Sequence, residues 1–195
     1  MNVSAHVAGQ RTGRIPGELG IWMFIIGDMV MFGLFFTVFV YYRAADVALF
    51  SDAQRSLNQT FGALNTLLLL TSSWFVVHAV ESARAGLAAR ARHLLVLAFA
   101  CGLGFLVIKY FEYGEKIRAG LTITTNDFFM YYFMLTGIHL LHVTLGMGVL
   151  AYLWQRLRGS GDTSDHVRAL ESGASFWHMV DILWIVLFAL VYLMR

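Results

Sequence analysis

Trp177-His178-Met179-Val180-Asp181-Ile182-Leu183-Trp184 lies inside the apolar run from Ala174 to Met194, and His139-Leu140-Leu141-His142 lies inside the run before it. An ionisable group in a bilayer core costs several kcal/mol unless it faces protein, water or a partner. These side chains therefore have to point into a bundle of helices. The remaining question is whether they serve chemistry or assembly.

The composition agrees with a membrane setting. Of 195 residues, 58% are hydrophobic, 15% aromatic and 13% charged, against about 25% charged in ordinary soluble domains. Mean hydropathy is +0.66. The net charge of +2 comes from scattered arginines without a basic block, which argues against a nucleic-acid partner. The single cysteine, Cys101, sits in an apolar run, so neither a disulfide framework nor a CxxC motif is available, and it reads as a small packing residue. Met1 to Glu18 is polar, with His6, Arg11 and Arg14, and the apolar stretch after it is too long for a signal peptide. That stretch is expected to remain as a span, with Pro16, the one proline, at its entrance.

A spanning helix needs about 20 mainly apolar residues. Five segments qualify: Leu19 to Tyr42, Ala63 to Val80, Ala91 to Tyr110, Phe128 to Trp154 and Ala174 to Met194. The fold expected is all-α, a polytopic bundle of five transmembrane helices forming one domain over 19–195, after a polar segment at 1–18. The third span is the shortest in its core, and Arg90, Arg92 and Lys109 are expected to snorkel from its ends. Asp46 to Gln59, Glu81 to Arg90, Glu112 to Asp127 and Gln155 to Ser172 read as polar links. No internal repeat is visible. With the N-terminus inside, eight Lys/Arg fall on the inner side and six on the outer, which favours N-in/C-out.

Asp28 lies near mid-depth of the first span, read either as a proton-titrating or lipid-linked carboxylate or as a carboxyl hydrogen-bonded to another helix. In the second span, Asn65, Thr66, Thr71, Ser72 and Ser73 read as interhelical glue, and His78 with Glu81 as an inner-end pair on one face. His139 and His142 share a side of the fourth span. They can ligate a metal or haem only with further ligands, for which His178 and Asp181 are the candidates within the membrane. Trp177, Asp181, Trp184 and Phe188 form a packing stripe on the fifth span. The expectation is that His139, His142, His178, Asp181 and Trp177 build a satisfied polar core between these two spans, so that Asp181→Ala strands a donor. Glu112 and Glu115 form an outer-end acidic pair.

In order and spacing these stretches resemble subunit III of the haem–copper oxidases. Trp177 to Trp184 is similar to that family's closing Trp-His-Phe-Val-Asp-Val-Val-Trp. Thr136-Gly137-Ile138-His139-Leu140-Leu141-His142-Val143 resembles its Thr-Gly-x-His-x-x-His-Val, and Glu112-Tyr113-Gly114-Glu115 its Glu-Tyr-x-Glu. Asp28 falls where the family has a buried acid, usually glutamate, and His78-Ala79-Val80-Glu81 also fits. The chain differs in having five spans, like the five-helix bacterial forms, where larger members have seven. It also lacks a Trp-Pro-Pro segment after the first span. The last difference, with Asp28, Leu64-Asn65-Thr66 and Ser72-Ser73-Trp74, resembles the nitric-oxide-reductase-associated branch.

The resemblance implies a non-catalytic accessory subunit in a bacterial cytoplasmic membrane. Haem and copper belong to partner subunits I and II, and this chain holds phospholipid but no metal. It would support assembly, sustained proton uptake and turnover in an oxidase or, alternatively, a nitric oxide reductase. Two other classes compete: an intramembrane metalloenzyme on His139, His142, His178 and Asp181, and a small proton channel using Asp28 and Glu81.

Overall fold

Each apolar stretch folds as one long helix, and the polar residues between them supply the stops. In the computed structural model the described residues are 19–159 and 163–194. The polar segment 1–18, with His6, Arg11, Arg14 and Pro16, lies outside them, as do Gly161, Asp162 and Arg195. The elements are α1 (Leu19–Ala45), α2 (Val47–Arg55), α3 (Gln59–Arg84), α4 (Ala88–Arg118), α5 (Asp127–Arg156) and α6 (Thr163–Phe188), which runs into a π turn, Ala189–Leu193. Five of these helices are long and apolar enough to cross a membrane.

Local chemistry sets the ends. Asp46, Asn58 and Asn126 each accept a backbone N–H of the first turn they precede, from Leu49, Thr60 and Phe129. α3 and α4 both end in a left-handed glycine, Gly86 (φ 75°) and Gly120 (φ 77°). In each case the glycine N–H and the next leucine N–H fold back onto the last turn, Leu87 onto Ser82 O and Leu121 onto Lys116 O.

α6 is the most buried of the spanning helices and α1 the least. α3 and α4 pair most extensively, and α6 packs against α3 and α5. Trp177 of α6 is fully buried against α5, where a Cβ on Gly146 would stand 2.7 Å from its ring. Only a glycine lets the indole approach that closely.

The stretch from Asp46 to Gln59 is not a simple link. Its middle is α2, which buries Phe50, Ala53 and Gln54. Phe50 sits edge-on to Phe39 of α1 and Phe128 of α5. Gln54 donates to the carbonyls of Leu190 and Val191, both at 3.0 Å. Gln59 reaches Tyr192 O at 2.8 Å and Arg43 reaches Met194 O at 2.6 Å. The carbonyls left over where α6 ends are thus taken by side chains from α1, α2 and α3.

Candidate functional site

Three polar clusters occupy the bundle, and they group the ionisable residues differently from the expectation. The first joins α5 to α1. His142 Nδ1 donates to Ile138 O at 2.8 Å, while Nε2 lies 3.2 and 3.0 Å from the two oxygens of Asp28. A carbonyl can only accept, so Nδ1 carries its proton. One further proton must then lie between Nε2 and the carboxyl, and the pair is neutral as a unit wherever that proton sits. Phe32 covers the imidazole edge-on at 5.3 Å.

The second cluster is the most buried. Lys109 Nζ donates to Glu112 Oε2 at 2.9 Å and to Tyr192 Oη at 2.8 Å, and Tyr192 donates to Glu112 Oε1 at 2.5 Å, closing a triangle. The ammonium also faces the rings of Trp184, Tyr192, Tyr132 and Tyr113 at 4.9 to 5.9 Å. Lys109 is 1% exposed and therefore does not snorkel. Its i, i+3 spacing from Glu112 was the available signal. The tyrosine that completes the triangle is far away in sequence. Glu112 and Glu115 consequently do not act as a pair: Glu115 is exposed and lies 3.6 Å from Lys116, whose ammonium reaches Ser56 O.

The third cluster lies between α3 and α6. Ser73 Oγ and His178 Nδ1 share a 2.5 Å hydrogen bond. Neither carboxyl oxygen of the buried Asp181 has a hydrogen-bond partner among the described residues. His139 is enclosed by Phe105 and Trp184 and has no partner on either ring nitrogen. Trp177 Nε1 is likewise without one. A satisfied polar core between α5 and α6 is therefore not formed. Those helices meet through rings and glycines, His142 turns to α1, and His178 turns to α3. The idea that Asp181→Ala strands a donor between them loses its basis. At the far end of α3, His78 and Glu81 pair at 2.8 Å on the surface, and Arg84 holds Glu171 of α6 at 2.7 Å.

Among the described residues no three His, Cys, Asp or Glu side chains converge as a metal would require. His139, His142, His178 and Asp181 do not form a common ligand set.

These features define a polytopic all-α membrane protein with two ion pairs inside its bundle, Lys109–Glu112 and Asp28–His142. The chain belongs to the cytochrome c oxidase subunit III family, whose model matches residues 4–195. It is 34% identical to cytochrome c oxidase subunit 3 of Synechocystis sp., over 90% of this chain and 74% of that one. It is 28% identical to cytochrome bo(3) ubiquinol oxidase subunit 3 of Pseudomonas putida (97% and 88% covered). With quinol oxidase subunit 3 of Bacillus subtilis the identity is 29% (94% and 89% covered). These relatives are named for oxidases, and the resemblance to a nitric-oxide-reductase branch finds no support among them.

Proposed function

We propose that this chain is the accessory subunit III of a haem–copper respiratory oxidase. It lies N-in/C-out in a bacterial cytoplasmic membrane, against subunits I and II that carry the haem and copper. The observation that carries this reading is the family match over residues 4–195. The buried ionisable groups support it, since Lys109–Glu112 and Asp28–His142 engage each other within the chain.

In that role the chain supports assembly, holds phospholipid and sustains proton uptake through many turnovers. An apolar groove of about 620 Å³ between α1 and α6, lined by Ile25, Met29, Met179 and Ile182 among others, has the apolar lining an acyl chain requires. The test is purification through a tag on this chain from its native membrane. Co-purified chains carrying a haem spectrum and oxidase activity are expected, with phospholipid retained in native mass spectra. Recovery of the chain alone, without a haem protein, would overturn the assignment.

A further inference from the structure

A second apolar groove runs between α4 and α5, away from the helices that form the α1–α6 groove. It has a volume of about 230 Å³ and is lined by Leu95, Val96, Phe99, Leu150, Ala151 and Trp154. α4 begins at this end and α5 finishes there, so both helices bring arginines to the mouth of the groove. Arg92 precedes Val96 and Phe99 at helical spacing, which puts it on the groove face of α4. Side chains on a helix lean toward its N-terminus, so Arg92 extends past the apolar lining toward the membrane surface. On the other wall the Arg158 guanidinium lies over the Trp154 ring, 4.8 Å from its centroid.

Neither arginine has an ion-pair partner among the described residues. Arg92 is half-buried, and its Nε is enclosed without a hydrogen bond. Arg158 is exposed and engages the indole face only. The described acids at this end are placed elsewhere. Glu81 holds His78, and Glu171 takes both the Nε and Nη2 protons of Arg84. Asp165, near the start of α6, is exposed and pairs with neither arginine. Two cations thus stand at the mouth of an apolar groove with no described anion of this chain against them.

We propose that the α4–α5 groove is a binding site for an anionic phospholipid. One acyl chain lies along Leu95, Phe99, Leu150 and Trp154, and the headgroup phosphate is held between Arg92 and Arg158. Arginine suits this task because its planar fork can donate two parallel hydrogen bonds to a phosphate. Basic pockets between transmembrane helices favour anionic headgroups, and each cation near the surface strengthens binding about fivefold. A zwitterionic headgroup carries its own ammonium and gains less. The site is separate from the α1–α6 groove and stands whether or not the chain serves an oxidase.

The experiment is fluorescence quenching of the full-length chain in lipid nanodiscs by phospholipids brominated on their acyl chains. Trp154 reports this groove, whereas Trp22 lines the one between α1 and α6. The Trp154 signal is the difference between wild type and Trp154→Phe, which keeps a ring beneath Arg158. Brominated phosphatidylglycerol is expected to quench it at a mole fraction about fivefold or more below that needed for brominated phosphatidylcholine. Arg92→Gln and Arg158→Gln should each reduce that preference about fivefold. Arg92→Lys keeps the charge and should retain most of it, and Arg90→Gln, on another face of α4, should leave it unchanged. Equal quenching by the two lipids would leave the arginines to a partner's carboxylates and overturn the proposal. A preference insensitive to both Gln variants would overturn it too, as would relief of the quenching by millimolar inorganic phosphate, which would mark an ion site. If Arg92→Gln fails to fold, Arg158→Gln decides.

Discussion

His142 Nε2 stands 3.0 Å from Asp28 Oδ2, and among the described residues this is the ion pair that joins α1 to another helix. α1 is otherwise peripheral, with most of its apolar surface facing outward. This contact near mid-depth, with Arg43 reaching Met194 O farther along the helix, ties the outermost helix to the rest.

Asp28→Asn keeps a donor for Nε2 and should cost little stability, whereas Asp28→Ala strands the imidazole. A double-mutant cycle with His142→Ala should return a coupling of about 0.6 kcal/mol, and no more than about 1.7. Because the Asn form removes the shared proton, activity of the whole complex should decay faster over many turnovers than in wild type or Asp28→Glu. The complexes compared must contain equal amounts of this chain. Equal persistence of all three would leave Asp28 a purely structural contact.

Breaking the Lys109–Glu112–Tyr192 triangle from one side should be far worse than removing its charges together. Lys109→Met or Glu112→Leu alone leaves a buried charge unpaired, which costs about 3–5 kcal/mol. The double replacement should recover much of that loss. Tyr192→Phe removes one donor and should cost about 1–3 kcal/mol. Thermal unfolding in detergent gives the ranking, and a double variant no better than either single one would contradict it.

Two glycines of α5 should behave in opposite ways. A methyl at Gly146 meets the Trp177 ring, whereas a methyl at Gly137 meets nothing within 4 Å. Gly146→Ala should destabilise by about 1–3 kcal/mol through overpacking. Gly137→Ala should be neutral or stabilise by up to about 1 kcal/mol. The difference in unfolding midpoint between the two variants measures the closeness of the α5–α6 contact.

The purified chain should contain no stoichiometric haem, copper or iron, and His139→Ala or His178→Ala should leave its metal content unchanged. Elemental analysis after separation from any partner checks this. A stoichiometric metal lost in either variant would revive the metalloenzyme reading.

Hydropathy made the five spans legible because each is a continuous apolar run, and those runs are where the long helices form. α2 was hidden because its nine residues, Val47–Arg55, follow Asp46 and carry Ser51, Asp52, Gln54 and Arg55 in close succession, so that they look like a polar link. Its burial of Phe50 and Gln54 depends on α5 and α6, which sequence distance conceals. Lys109 was misjudged because depth along a helix says nothing about which face a neighbour covers. His139 and His142 lie on one side of α5 by spacing, yet one meets rings from α4 and α6 and the other a carboxyl from α1. Spacing can put residues on a face, but it cannot name what that face touches.

The grip on the π turn has a consequence for biogenesis. Tyr192, which completes the lysine triangle, and the carbonyls held by Arg43, Gln54 and Gln59 all belong to the last-synthesised stretch of the described chain. Until that stretch emerges from the ribosome, α4 must sit in the membrane with Lys109 and Glu112 lacking their third partner. A nascent chain cut a few residues short would keep its spans but leave that site open to lipid. Such a product would be a natural target for membrane quality control.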